Sequence, residues 1–521
     1  MAEKKNGKDF DIRRAYEAWV AAGEPVEDHK KNEGGKKAAD KQKKNEEEGK
    51  NLQRRSSGKA ERKPVAEASF GKKKASAYYK KEGRFSSREE KDQKDSPEAP
   101  ASKEEKNGFA GKRFSKDETR DRTPHLPKEA PAQMEKKPAI CPYHKRCGGC
   151  AYIEKDYAWT LGFKEMKVGG LLRPFVKLDG IVGMENPYHY RNKVHAVFAH
   201  VRDGNRERNV CGIYEAGTHK VVPVKNCKIE NEKAGEIIQT ILGMLRDFKI
   251  KVYDEDMDYG LMRHVLVRVG HATGEIMVVL VLSSPILPNK NAFVKKLLEK
   301  HPEITTIVLN VNDQKTSMVL GSRETVLHGK GYIEDVLLGN RYRISSRSFY
   351  QVNSVQTAKL YKEAIRMANL TGRERVLDAY CGIGTIGITA AARAREVIGV
   401  ELNGEAVRDA IRNAKTNEIR NITFFENDAG DFLRQMAEDR EMVDVIFMDP
   451  PRTGSTERFM DAAAALRPGR IIYISCGPDT LARDLAYLKK LGYRAREAKA
   501  FDMFPFTEHC EVVVSLTKSS K

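Results

Sequence analysis

The run Arg375-Val376-Leu377-Asp378-Ala379-Tyr380-Cys381-Gly382-Ile383-Gly384-Thr385-Ile386-Gly387 takes an apolar strand straight into a glycine-rich turn. Glycines at that spacing let backbone pass close to a ligand, and a helix starting behind them offers free N–H groups. Working outward, the same punctuation recurs. EVIGVEL ends on the acidic Glu401, 17 positions after Gly384. NITFFEND ends on Glu426-Asn427-Asp428, VDVIFMDPP on Asp449-Pro450-Pro451-Arg452, and GRIIYIS on Cys476-Gly477-Pro478. Helical segments such as GEAVRDAIRNAKTN, TERFMDAAAAL and PDTLARDLAYLKKL separate these runs. Short apolar strands alternating with amphipathic helices predict a parallel α/β sheet over residues 339–521.

Side chains at the carboxyl ends of successive strands line the crevice where such sheets bind ligands. Glu401 is placed to grip ribose hydroxyls, and Asp428 to meet the edge of a base. The glycine spacing alone admits a dinucleotide. Asp378 just before the glycines repels a pyrophosphate, so a cationic, phosphate-free ligand fits better. S-adenosylmethionine, with its sulfonium and ammonium groups, is such a ligand.

The apolar run before Cys476 sets its sulfur at the same sheet edge as Asp449. A cysteine is most often a small buried hydrophobe, but this one stands beyond the apolar run, at a Gly-Pro turn. Asp449 does not lower its pKa, so activation falls to substrate protonation or to the helix beginning at Asp479. Cys381, inside the glycine loop, reads as a packing residue.

Three segments together, Asp449-Pro-Pro-Arg-Thr-Gly454, Tyr473-Ile-Ser-Cys-Gly-Pro478 and Asp502-Met-Phe-Pro-Phe-Thr-Glu-His-Cys-Glu511, resemble the RNA 5-methyluridine (uracil-C5) methyltransferases over roughly residues 138–518. The resemblance implies a Rossmann-like methyltransferase domain that moves a methyl group from S-adenosylmethionine to uracil C5. It implies that Cys476 adds to uracil C6 and Glu511 removes the C5 proton. Asp449 matches the family carboxylate set between cofactor and uracil, and Gln351, Tyr380, Glu401 and Asp428 match cofactor contacts. Glu508 stands where relatives usually carry Gly, and Asp428 and Thr385 stand where some carry Asn. The uridine is expected to be flipped from its stack, since neither sulfur nor methyl donor reaches C5–C6 inside a helix.

Upstream, KVHAVFAHV, VLVRVGHA, EIMVVLVLS and TTIVLNVN read as strands of a mostly antiparallel unit within 138–338. That unit opens with Cys141, Cys147 and Cys150 in a C-x5-C-x2-C pattern, with Cys211 and Cys227 further on. A fourth thiolate completes a four-cysteine shell, for which structural zinc and an iron–sulfur cluster are comparable on spacing alone. The resemblance selects a 4Fe–4S cluster on Cys141, Cys147, Cys150 and Cys227, because some members place the fourth ligand in an Asn-Cys segment like Asn226-Cys227. It then favours the iron–sulfur members that act on 23S rRNA, with tRNA as the alternative.

The chain has 521 residues, 93 Lys and Arg against 74 Asp and Glu, and a net charge of +19. Residues 1–137 hold 37 basic and 27 acidic side chains with few apolar ones, predicting a disordered charged extension able to contact RNA phosphates. Phe10, Ile12, Tyr16, Trp19 and Val20 are spaced for a short apolar helical face within it. Many relatives begin with a small RNA-binding β-barrel, for which residues 1–137 carry no strand pattern. No apolar run is long enough to span a membrane and no secretory signal is visible, so a cytoplasmic, monomeric enzyme is expected. An amino-group methyltransferase built on Asp-Pro-Pro, or a non-catalytic RNA-binding assembly factor, is the rival reading. Neither uses the Cys476 and Glu511 pair.

Overall fold

The computed structural model describes residues 141–519 apart from 204, 205 and 317, all within one compact unit. The charged extension and its apolar helical face lie outside the described residues. A loop and the helix Tyr157–Leu172 lead to a short strand, β1 (Leu178–Val182). Then come β2 (Lys193–Asp203), β3 (Arg206–Tyr214), β4 (Val221–Pro223), the helix Glu232–Asp247, β5 (Met262–Val269) and β6 (Ile276–Leu282). The helix Lys290–Lys300, β7 (Ile304–Val311) and β8 (Arg323–His328) complete this part. Strands β2 to β8 make a seven-stranded sheet in the order β4-β3-β2-β5-β6-β7-β8. Every pair is antiparallel except β6 with β7, which the helix between them allows to run parallel. The four runs predicted as strands lie in β2, β5, β6 and β7.

A hairpin of β9 (Tyr332–Leu337) and β10 (Asn340–Ser345) and the helix Ser354–Ala368 lead into the second sheet. Its core strands are β11 (Arg375–Ala379), β12 (Glu396–Glu401), β13 (Ile422–Glu426), β14 (Val445–Met448) and β15 (Arg470–Ser475), all mutually parallel. Their apolar residues face alternately two cores. Val376, Val397, Val445 and Ile472 pack on one side, and Leu377, Ile398, Ile446 and Ile471 on the other. Burial of both faces is why the runs are continuously apolar.

Two last strands, β16 (Tyr493–Phe501) and β17 (Glu511–Lys518), give the order β1-β16-β17-β15-β14-β11-β12-β13. Strand β17 inserts antiparallel between β15 and β16, so the sheet is mixed. The edge strand β1 pairs parallel with β16, and Val168 and Leu172 of the preceding helix enter the same core. Residues 157–182 therefore complete the eight-stranded sheet although they precede the seven-stranded one.

The expected four-cysteine cluster is not borne out. Among the described residues, no group of three or more His, Cys, Asp or Glu is arranged to hold a metal ion. Cys141, Cys147, Cys150 and Cys227 are all free thiols. They are near enough for charge on one to bear on another, but Cys141, Cys150 and Cys227 pack against Ile153, Tyr190, Ile229 and Phe506. Burial, chiefly, pushes the Cys150 and Cys227 thiols up to about 12, and burial raises Cys147 as well. His144 is engaged elsewhere, 2.7 Å from the Cys141 carbonyl and 2.6 Å from Glu154. The absence of a metal-holding arrangement among the described residues overturns the 4Fe–4S assignment and, with it, the narrower placement among iron–sulfur enzymes.

Candidate active site

The crevice begins where β11 ends. Tyr380 turns the chain in the left-handed region (φ 65°), a conformation that costs a non-glycine residue about 1–3 kcal/mol. Its ring leans on Phe459, with centroids 5.2 Å apart. Asp378 is buried and accepts the Gly387 N–H at 2.7 Å through Oδ2. A Cβ on Gly387 would stand 2.9 Å from that oxygen, so the close approach requires glycine. Asp378 Oδ1 has no partner in the protein. Burial, then the charges of Asp449 and Glu401, raises the Asp378 pKa to about 8, against the Gly387 hydrogen bond.

Glu401 is pinned at the end of β12: one oxygen accepts the Gly382 N–H at 3.1 Å and the other the Asn403 N–H at 2.8 Å. Asp428 caps the helix Ala429–Glu438 through the Asp431 N–H at 3.0 Å. Gln351 is buried before the helix Ser354–Ala368, and its carbonyl accepts from Asn192 Nδ2 at 3.0 Å. Acidic groups thus stand at or beside the carboxyl ends of β11 (Asp378), β12 (Glu401), β13 (Asp428) and β14 (Asp449), with an unpaired buried oxygen on Asp378. That donor set fits a cationic ligand such as S-adenosylmethionine and opposes a phosphate-bearing one.

Three further groups meet beside this row. Met448 pairs with Tyr473, which brings Asp449 and Cys476 to the same end of adjacent strands. Ser475 pairs with Val512, so the start of antiparallel β17 brings Glu511 next to Cys476. Glu511 is buried and its Oε2 has no partner. Burial raises both Asp449 and Glu511, and the Asp449 charge raises Glu511 further while Arg452 opposes it. Burial, then Glu511 and Asp449, pushes the Cys476 thiol up to about 11, again with Arg452 opposing. The Cys476 thiol therefore rests protonated near neutral pH, and Arg452 is a cation whose field reaches both thiol and carboxylate.

Two supports were not legible at the start. Asp484 is fully buried and accepts from the Ser455 N–H (2.7 Å), the Tyr473 hydroxyl (2.7 Å) and Arg483 Nε (2.8 Å). Arg483 in turn donates to the Thr453 and Ser455 carbonyls at 3.0 and 3.1 Å, fixing the loop that follows Asp449. The signal was an Asp on the buried stripe Leu481, Asp484, Leu485, Leu488. The other is Lys164, among the buried Thr160, Val168 and Leu172 of its helix.

A family model described as tRNA (Uracil-5-)-methyltransferase matches residues 156–519. An uncharacterised RNA methyltransferase of Caldanaerobacter subterraneus subsp. tengcongensis is 39% identical over 378 residues, covering 72% of this chain and 83% of the relative. One from Listeria innocua is 39% identical over 381 residues, with the same coverages of 72% and 83%. Among solved structures, the tRNA (uracil-54, C5)-methyltransferase of Pyrococcus abyssi in complex with S-adenosyl-L-homocysteine superposes with a TM-score of 0.60 at 28% identity. It covers 71% of this chain and 86% of that one. Among the described residues no helix is long and apolar enough to cross a membrane. With the glycine turn, the acidic strand ends and the extent of these matches, the chain belongs to the tRNA (uracil-5-)-methyltransferase family and is an S-adenosylmethionine-dependent RNA (uracil-C5)-methyltransferase.

Proposed function

We propose that the RNA is transfer RNA, that Cys476 is the nucleophile and that Glu511 is the base. The observation that carries the catalytic part is the convergence of Cys476, Asp449 and Glu511 at one sheet edge, set by the antiparallel entry of β17. Transfer RNA is supported by the family description and by the substrate named for the Pyrococcus enzyme. The preference for 23S rRNA rested on a cluster that the cysteines do not form.

S-adenosylmethionine, when bound, supplies an electrophilic methyl group. This chain's residues make the other partner reactive. Uracil C5 is a weak nucleophile until sulfur adds at C6. Asp449, kept basic by burial, accepts the Cys476 proton as the S–C6 bond forms, and the C5–C6 π electrons become an enolate reactive at C5. After C5 carries the methyl group, Glu511 takes the remaining C5 proton. The C5–C6 double bond re-forms, the S–C6 bond breaks, Asp449 returns its proton to sulfur and Glu511 releases one to solvent. Arg452 steadies the negative charge at each stage.

The test is mass-spectrometric mapping of 5-methyluridine in tRNA and 23S rRNA from cells with and without this protein. Loss from tRNA is expected. Loss from 23S rRNA with tRNA unchanged overturns the substrate, and a Cys476→Ala enzyme with full turnover overturns the mechanism.

A further inference from the structure

Strand β2 alternates: Val194, Ala196 and Phe198 enter the core under the helices, so Lys193, His195 and Val197 face the other way. The register sets Lys193 opposite Arg268, His195 opposite Leu266 and Val197 opposite His264. Lys193, His195 and His264 therefore share one face of two adjacent strands. That face floors a groove of about 1400 Å³ that continues to Arg452, Thr507 and His509 beside the reaction centre.

Among the described residues no carboxylate answers the Lys193 ammonium or the two imidazoles beside it. The charges acting on Lys193, His195 and His264 come from Arg268, from Lys193 and Arg191, and from His195 and Arg263. The groove's lining holds eight Lys and Arg against four Glu, and those Glu are engaged away from this face. Glu255 lies 3.5 Å from Arg263, Glu215 lies 3.4 Å from Arg146, Glu230 acts on Arg191, and Glu508 stands at the reaction end beside His509. His264 is only 7% exposed, lines the groove, and its Nδ1 has no hydrogen-bond partner. Buried polar groups are seldom left so. Burial, then like charge, draws the Lys193 ammonium down to about 8 and His264 to about 3. A nearby anion reverses both effects.

We infer that the sheet face bearing Lys193, His195 and His264 is a second site, which holds a phosphodiester of the RNA strand away from the reacting uridine. It rests on the reading of RNA as substrate and adds where the backbone runs: from the reaction centre past Arg452, across the groove, onto β2 and β5. Phosphate contacts fix register without reading sequence. The site thus sets which nucleotide reaches Cys476 by distance along the strand.

The test measures tRNA affinity against salt for the full-length wild type, Lys193→Gln and His264→Gln, with S-adenosylmethionine affinity as the check on folding. Each lost phosphate contact lowers the slope of log K against log salt by about 1 and weakens binding to all RNAs alike. Lys193→Gln, at a half-buried position, is expected to do this with roughly a tenfold loss near physiological salt. Variants that keep the wild-type slope and affinity overturn the proposal. Wild type that binds with a salt slope reduced in Lys193→Gln, yet forms no adduct with 5-fluorouridine RNA, supports this site and overturns the role of Cys476.

Discussion

Lys164 Nζ lies 2.6 Å from Asp502 Oδ1, and both side chains are buried. The same ammonium donates to the Phe504 carbonyl at 3.1 Å and the His509 carbonyl at 2.8 Å. One side chain from the helix Tyr157–Leu172 therefore ties down both ends of the segment that delivers Glu511. Removing one partner of a buried pair leaves a charge without compensation, at a cost of about 3–5 kcal/mol. Lys164→Met is expected to lose that much stability in urea unfolding, while Lys164→Met with Asp502→Leu recovers a large part. Equal destabilisation in single and double variants would show that the carbonyl contacts, rather than the ion pair, matter.

Glu511→Gln separates the two halves of the proposed reaction. Cys476 can still add to C6, but the carboxamide cannot take the C5 proton, so sulfur is not expelled. A protein–RNA adduct at Cys476, carrying the methyl group, is expected to accumulate on denaturing gels. Turnover falls by at least about 100-fold, in line with loss of a general base. Free methylated RNA at the wild-type rate would assign the base elsewhere.

The acidic strand ends and Cys476 were legible because each follows a strongly apolar run, and such runs end at one sheet edge whatever their order. Direction was not. EVVVSLTK reads alike as a parallel or an antiparallel strand, yet only the antiparallel insertion brings Glu511 beside Cys476. Lys164 and Asp484 each look like an interruption in an apolar stripe, and the partner of Lys164 lies 338 residues away in the chain. The cysteine motif misled for a different reason. Its spacing draws thiols together but does not fix the arrangement that a metal ion needs, which the described residues lack.

Asp378 gives stability a definite pH dependence. Its folded pKa of about 8 lies above the unfolded value of about 4. Between these values the folded state holds the extra proton, so its contribution is complete below about pH 4 and is lost as pH rises through about 8. Asp378→Asn preserves an oxygen for the Gly387 N–H and removes the titration. The variant's stability curve is expected to be flatter than wild type from pH 5 to about 8. Parallel curves in that window would mean that Asp378 is ionised throughout.

Gly384 shows how tightly the turn is drawn. It stands at φ 83°, and a Cβ there would lie 2.8 Å from Phe424 Cζ and 3.0 Å from its Cε1. Gly384→Ala adds the left-handed backbone penalty, roughly 1–2 kcal/mol, to a clash with a ring packed in the core. The turn can relax only by moving away from Phe424, which carries the Gly382 N–H off Glu401. Affinity for S-adenosylmethionine in calorimetric titration is therefore expected to fall at least about tenfold, the equivalent of roughly 1.4 kcal/mol. RNA affinity should stay within about twofold, because the turn at Gly384 contributes no residue to the lining of the basic groove. Unchanged cofactor affinity would place the ligand away from this turn, and with it the argument from Asp378 and Glu401.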